Sequence, residues 1–175
     1  MCRLSVRLRG AVLGCATALL VAVAGAFVQP STAQADRFIP AGSGWQTYVN
    51  DRFGTSFAFP ADIFTPSAPP ENGDGRRFVA EDATLEVYAW HNIDGENAAS
   101  LKRRLVGSDG YTDVTYSPSG RSWLVLSGYR GNNIFYEKYI FRGDAVHGFG
   151  IEFPADEKPF YAPIIERIED SFRAS

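Results

Sequence analysis

An α+β fold is predicted for residues 36–175 of this 175-residue chain, with a single curved, mostly antiparallel sheet of about eight strands flanked by two helices. Short segments of alternating apolar and polar residues recur along the chain, separated by turns rich in Gly, Asn, Asp and Pro. Two other segments repeat their apolar residues at helical spacing. Strands joined by short turns are antiparallel, and helices on such a sheet cover its apolar faces.

The first 35 residues have the pattern of a secretory signal peptide. Three arginines precede an apolar run over residues 11–28, and Ala33-Gln34-Ala35 forms a small-x-small cleavage box. We therefore predict an exported protein, periplasmic or secreted, whose mature part is one domain over residues 36–175. Two alternatives are an uncleaved membrane anchor, for which the run is barely long enough, and a lipoprotein modified at Cys15.

The mature part is acidic and contains no cysteine. It holds 20 acidic and 14 basic residues, a net charge of −6, and both cysteines of the chain precede residue 36. Disulfides, thiolate catalysis and Cys-based metal sites are thereby excluded. An acidic surface argues against nucleic acid and anionic lipid as partners, and we expect no stable membrane insertion after signal cleavage.

Four strands are predicted in the first half of the mature part, after a loosely held leader over residues 36–44. Pro60 ends the second of these strands, because proline has no N–H to donate to a neighbour. A stiff, Pro-rich connection then leads to the turn Glu71–Gly75, where Asn-Gly and Asp-Gly pairs favour positive φ. The predicted strands cover residues 45–49, 53–59, 76–80 and 84–92.

The second half begins with a helix over residues 98–106, with Asn97 as its N-cap and Gly107 after its end. A closing helix is predicted from about Phe160, with Pro163 in its first turn, where the missing N–H costs nothing. Between the helices lie four strands, predicted over residues 111–117, 122–130, 134–142 and 145–153.

Two glycines mark the last predicted strand. Gly148 and Gly150 share one face of it, so that face is nearly bare and a helix or a bulky ring can lie close to the backbone there.

Three segments of the chain resemble a known family. Together with a closing helix that ends in Ser171-Phe172, they are similar to exported bacterial domains of unknown function, which in turn resemble the PsbP/Mog1-like α/β/α sandwich. The matching segments are Tyr48-x-Asn50-x-Arg52-Phe53-Gly54, Phe59-Pro60-Ala61-Asp62-x-Phe64 and Asn72-Gly73-Asp74-Gly75-Arg76-x-Phe78. The resemblance implies an accessory or binding protein and carries over no catalytic residue; fold alone does not fix function.

Candidate binding residues lie around the Gly-rich turn and in the strand that follows it. Asn72 and Asp74 belong to the turn and Arg76 directly follows it. The oxygens of the turn could hold a cation such as Ca²⁺, although the ligand pattern of a linear calcium loop is missing. Tyr88 and Trp90 could form an exposed aromatic patch with Tyr129 and Tyr136, or be covered by the helices as ordinary core. We favour the turn as a structural feature and the aromatic side chains as core.

A candidate metal site follows the same strand. His91, Asp94 and Glu96 fall within six residues and could ligate Zn²⁺ or a similar ion, with His147 as the one further imidazole in the chain. The alternative is a connecting loop whose carboxylates favour the N-terminus of the next helix. We predict no cofactor.

No catalytic motif is present in the sequence. It contains no Gly-x-Ser-x-Gly, His-Glu-x-x-His or Ser-x-x-Lys and no phosphate-binding glycine loop. We therefore predict an exported, non-catalytic accessory or binding domain of the bacterial cell envelope, with a protein or another envelope component as its partner. The alternative is an envelope hydrolase or metal-dependent enzyme that uses the loop carboxylates Asp74, Asp82, Asp94 and Glu96 as acid and base.

Overall fold

The computed structural model describes residues 36–175; the predicted signal peptide lies outside the described residues. The described part contains ten strands, one 3₁₀ turn and two α-helices, which confirms the predicted α+β class. The strands are β1 (Arg37–Gly42), β2 (Trp45–Val49), β3 (Ser56–Pro60), β4 (Thr65–Pro66), β5 (Gly75–Val79), β6 (Thr84–His91), β7 (Asp113–Tyr116), β8 (Trp123–Arg130), β9 (Asn133–Arg142) and β10 (Ala145–Pro154). The helices are α1 (Ala98–Leu105) and α2 (Lys158–Ser171), and the 3₁₀ turn is Ala155–Glu157.

The strands divide between two antiparallel sheets rather than forming the single sheet that was predicted. One sheet has the order β1-β2-β3, and the other has the order β4-β5-β6-β10-β9-β8-β7. The predicted loose leader is β1, which pairs with β2 through a tight turn. That turn needs positive φ at three successive residues, Gly42, Ser43 and Gly44, and glycine supplies two of them without strain.

The main core lies between the two sheets and α2. It is largely aromatic: Phe57, Phe59 and Phe78 are fully buried, with the ring centroids of Phe59 and Phe78 4.6 Å apart. From α2, Tyr161, Ile164, Ile165 and Ile168 complete it. Offset and edge-on ring pairs of this kind stabilise a core beyond their buried area.

Helix α2 begins earlier than the sequence indicated. The 3₁₀ turn leads directly into Lys158, and Pro159 lies in the first turn of the helix. Pro163 is therefore in the second turn, not in the first as predicted, and its ring is on the exposed side of the helix.

A smaller core lies on the opposite face of the seven-stranded sheet, under α1. Asn97 caps this helix as predicted, because its side chain accepts a hydrogen bond from the Ser100 amide at 3.0 Å while the Ser100 hydroxyl accepts one from the Asn97 amide. Buried Ala98 and Leu101 pack against the sheet through Leu124, Leu126, Phe135, Tyr139 and Val146. The eight residues of α1 cover one end of this face and leave the other end, at the start of β6 and the end of β10, open.

Within residues 36–175, no helix combines the length and the apolar character needed to cross a bilayer.

Candidate functional site

The open end of the sheet carries a row of charged side chains that the strand register brings together. Arg77 of β5 lies opposite Glu86 of β6, Glu86 lies opposite Gly150 of β10, and Gly150 lies opposite Glu137 of β9. Directly opposed residues in antiparallel strands point to the same side of the sheet. Four consecutive strands thus present Arg77, Glu86 and Glu137 on one face, with a glycine between the two carboxylates.

The two glycines of β10 form the floor beneath these side chains. A Cβ at Gly148 would lie 2.5 Å from the ring of Tyr88, and one at Gly150 would lie 3.1 Å from Cγ of Glu137. The predicted close approach of a bulky ring at this bare face is therefore confirmed, and the ring is that of Tyr88. Because the ring of Tyr88 and the side chain of Glu137 lie over these glycines, a larger residue at position 148 or 150 would displace them.

A groove runs across this face, and we name it the sheet groove. Its central recess, of about 170 Å³, lies above Gly150. It shares Glu86 and Tyr88 with a recess of about 310 Å³ under the Pro-rich loop, and Thr84 and Glu152 with a recess of about 380 Å³ at the β5–β6 turn. The central recess is lined by Arg77, Thr84, Glu86, Tyr88, Arg130, Glu137, Gly150, Ile151 and Glu152.

Glu137 is the buried acid of the sheet groove, with 6% of its surface exposed. Its carboxylate accepts hydrogen bonds from the hydroxyls of Tyr111 at 2.7 Å and Tyr139 at 2.5 Å, and from the guanidinium of Arg130 at 2.7 Å. A buried carboxylate is stable when donors of this kind replace its hydration. The network therefore fixes Glu137 in one position at the wall of the groove.

Arg130 forms ion pairs with two carboxylates. One guanidinium nitrogen contacts Glu137, and another lies 3.3 Å from Glu152, which also accepts a bond from Asn133 at 3.0 Å. The guanidinium also lies over the ring of Phe135, 4.2 Å from its centroid. Burial alone would lower the pKa of Arg130, but the hydrogen bond and charge of Glu137 outweigh it, so the pKa is raised and the cation is secured.

The tyrosines of the network are held in their protonated form. Burial raises the pKa of Tyr139 and of Tyr111, and the charge of Glu137 raises both further. At neutral pH these two hydroxyls are protonated and donate hydrogen bonds to Glu137, which fixes the position of its charge.

The residues predicted to bind a ligand are distributed around the sheet groove rather than gathered in it. Tyr88 lines the central recess, and Asp74 lines the recess under the Pro-rich loop. Asn72 donates its side-chain amide to Asp74 at 2.6 Å, while its carbonyl oxygen accepts a bond from Arg52. Trp90 stacks on Tyr88 with ring centroids 6.0 Å apart and belongs to the core under α1.

Arg76 points to the other face of the sheet, towards the β1–β3 sheet. Its guanidinium lies 3.4 Å from the carboxylate of Asp36 and 5.6 Å from the ring centroid of Phe38. Both side chains of the ion pair are largely buried. Arg76 thereby fastens the start of the described chain to the seven-stranded sheet, which is a structural task.

The residues predicted to bind a metal have separate surroundings. The His91 ring packs against Phe53 at 5.0 Å and is exposed, and Asp94 is exposed. Glu96 is held by the guanidinium of Arg104 at 2.7 and 2.8 Å. Over residues 36–175, no three His, Cys, Asp or Glu side chains are grouped to hold an ion.

His147 lies apart from these residues, buried between the two sheets. Its Nδ1 is 2.7 Å from the hydroxyl of Thr55, and its Nε2 has no hydrogen-bond partner among residues 36–175. Burial, and then the charge of Arg142, lower the pKa of His147, so the imidazole is neutral at pH 7.

The loop carboxylates considered as an acid–base pair take part in separate contacts. Asp74 accepts from Asn72, Glu96 is paired with Arg104, and Asp82, at the far end of the β5–β6 hairpin, accepts from the Tyr161 hydroxyl at 2.5 Å. Two carboxyl groups that act as acid and base must lie on either side of one reacting bond, and these contacts place Asp74, Asp82 and Glu96 in different parts of the surface.

Exposed aromatic side chains occur on the α2 side of the seven-stranded sheet, near its β7 edge. Tyr129, one of the predicted patch residues, is 41% exposed, and Tyr116 and Trp123 are 57% and 38% exposed. Tyr136 is covered instead, with its hydroxyl donated to Glu169 of α2 at 2.7 Å. The aromatic residues thus divide between core and surface.

The charged residues of the sheet groove were not among the predicted sites. One signal was present for Glu137, because it alternates along β9 with Phe135, Tyr139 and Phe141, all apolar in character. An acid in the middle of an apolar strand face is either misplaced or held by partners. Tyr139 lies on the same strand, but the other two partners, Arg130 at the end of β8 and Tyr111 in the loop before β7, are not revealed by local patterns.

Comparison with known proteins supports the fold and adds no function. No family model matches the sequence, and no curated protein matches it. Among solved structures, the chain is similar to the solution structure of cyanobacterial PsbP (CyanoP) from Synechocystis sp. PCC 6803, with a TM-score of 0.59 and 13% sequence identity over 77% of this chain and 95% of that one. At this identity the likeness concerns the fold alone, and on that level the chain has a PsbP-like α+β fold.

Proposed function

We propose that this chain is an exported, non-catalytic accessory or binding domain of the bacterial cell envelope, and that it binds its partner through the sheet groove. Residues 1–35 act as the signal peptide in this proposal, and residues 36–175 act outside the cytoplasm. The partner is a protein or another envelope component.

The observation that carries the proposal is an open sheet face whose central carboxylates are held in ion pairs. Glu137 and Glu152 are held by Arg130, and Glu86 lies 3.4 Å from Arg77. A surface with preset charges loses little side-chain entropy when a partner docks. Each of these carboxylates is engaged in an ion pair, which supports a binding role for the face.

Site-specific cross-linking tests the proposal in cells that export the chain. A photoreactive amino acid replaces Thr84, which borders the central recess, and in a matched control it replaces Glu166, an exposed residue of α2. We expect a discrete cross-linked product from position 84 and none from position 166. Failure of position 84 to cross-link, or equal products from both positions, would rule out the groove as the binding surface.

Export is tested separately, by N-terminal sequencing of the protein recovered outside the cytoplasm. A chain that starts at Asp36 is the expected result. A chain that starts at Met1, or one lipidated at Cys15, would overturn the assignment of the signal peptide.

A further inference from the structure

We propose that the sheet groove docks a short extended segment of a partner protein that carries a lysine or arginine, whose cation lies above Gly150 among Glu86, Glu137 and Glu152. This inference rests on the proposed function, because it names the chemistry of the partner that the same groove would bind.

The first argument for a basic partner is the charge of the groove. At its centre, two carboxylates, Glu137 and Glu152, share the one guanidinium of Arg130, which leaves a net charge of −1. Glu86 and Arg77 neutralise each other. An excess carboxylate charge that is partly buried in a recess attracts a cation more strongly than one on a flat, fully exposed surface.

The ends of the groove add further negative charge. Asp74 lines the recess under the Pro-rich loop, and Glu81 and Asp82 line the recess at the β5–β6 turn. Six carboxylates therefore face two guanidinium groups along the groove, because the Arg76 guanidinium is turned to the opposite face of the sheet. Such a surface is complementary to a basic partner.

The second argument, for an extended segment, is the shape of the groove. The central recess of about 170 Å³ is the size of a side-chain end. The groove extends beyond it along β5, whose five residues span about 16 Å at about 3.3 Å per residue. A segment of about five extended residues matches that length, and a single inorganic cation would leave most of the groove empty.

The recess under the Pro-rich loop supplies an apolar contact next to the cation. Ala68, Pro70 and the backbone beside Val87 line it, together with the ring of Tyr88. Alternate side chains of an extended strand point the same way, two residues apart. We therefore expect the docked segment to carry an apolar side chain two residues from its lysine or arginine.

Selection from a displayed library of random heptapeptides tests this inference with the purified protein as bait. We expect the enriched peptides to share one position occupied by Lys or Arg. The binding of an enriched peptide, measured by calorimetry, should weaken as NaCl is raised from about 50 to about 300 mM, because exposed charges are screened at that ionic strength.

Charge-neutral variants link the binding to the groove. Glu86→Gln/Glu152→Gln keeps the shape of both side chains and should weaken binding of the peptide by about tenfold or more. The matched control Glu157→Gln/Glu166→Gln removes two exposed charges next to and within α2 and should bind as the wild type does. Melting temperatures of both double variants show whether each is folded.

The inference is overturned if no peptide is enriched, if the enriched peptides share no basic position, or if the folded Glu86→Gln/Glu152→Gln variant binds as tightly as the wild type. A cross-link from position 84 that persists in this variant would preserve the proposed function and remove the inference about charge. If position 84 gives no cross-link in the chain that is otherwise wild type, the proposed function itself is overturned.

Discussion

Replacing Glu137 by glutamine tests whether the buried network is the rigid wall of the sheet groove. The change keeps the size of the side chain and removes its charge. An amide oxygen in the place of Oε2 can still accept from both tyrosine hydroxyls, but the amide nitrogen then takes the place of Oε1, which accepts the bond from Arg130. Arg130 then keeps Glu152 as its one ion-pair partner, at 3.3 Å.

The expected loss of stability follows from this geometry. Breaking a fully buried ion pair costs about 3–5 kcal/mol, and an exposed one costs less than about 1 kcal/mol. The side chain of Glu137 is 8% exposed and that of Arg130 is 27% exposed, so the cost of breaking this pair lies between these limits. We expect the free energy of unfolding to fall by about 2 kcal/mol, or the melting temperature to fall by about 7 °C for a domain of this size.

Chemical denaturation and thermal unfolding measure this change, with Glu86→Gln as the matched control. Glu86 and Arg77 are both about half exposed, so that variant should change the free energy of unfolding by less than about 0.5 kcal/mol. A double-mutant cycle with Arg130→Met should give a coupling of at least about 1 kcal/mol. If Glu137→Gln unfolds within about 0.5 kcal/mol of the wild type, or if the coupling is absent, the network is not the rigid wall described here.

Three further predictions concern residues outside the network. The pKa of His147 is lowered by burial and by Arg142, so the neutral imidazole stabilises the fold above the unfolded pKa of about 6.5 and this stabilisation is lost as the pH falls. Thermal unfolding from pH 7 to pH 5 should therefore show a smaller loss of stability in His147→Gln than in the wild type. A Cβ at Gly75 would lie 2.0 Å from a backbone oxygen of β6, whereas Gly73 has open space and positive φ. Chemical denaturation should therefore show the free energy of unfolding falling by more than about 3 kcal/mol in Gly75→Ala and by about 1 kcal/mol in Gly73→Ala. Equal losses in the two variants would contradict this packing. Arg76→Leu should raise deuterium exchange across β1 while the β9–β10 pairing stays protected, and unchanged exchange in β1 would show that the ion pair does not hold this strand.

Local patterns in the sequence were sufficient for most elements of the fold. The alternation along β6, β8 and β9 placed these strands to within one residue of the structure, and Asn97 marked the start of α1. These signals are local, because a strand period and a helix cap depend on neighbouring residues. The β1–β2 hairpin also depends on neighbouring residues, but it was not predicted. Its turn includes Ser43 at φ 52°, a conformation that serine adopts infrequently.

The division into two sheets and the charged part of the site depend on contacts between distant residues. Glu137 meets Tyr111 and Arg130 only after β7, β8 and β9 have paired, and Gly150 becomes a floor because β6 and β9 flank it. The pair Gly148 and Gly150 did indicate a bare face, which is where the groove lies. The sequence predicted a bare face against which a helix or a ring could lie, but it did not show which charges would surround that face.

Carbodiimide labelling of carboxylates tests the central claim, that the sheet groove is the binding surface, without knowledge of the partner. The side chains of Glu86 and Glu152 are 47% and 32% exposed and should be labelled in the purified protein. In the intact envelope the partner should protect both, while Glu166 on α2 should be labelled equally in the two samples. Equal labelling of Glu86 and Glu152 in the envelope and in the purified protein would contradict the claim.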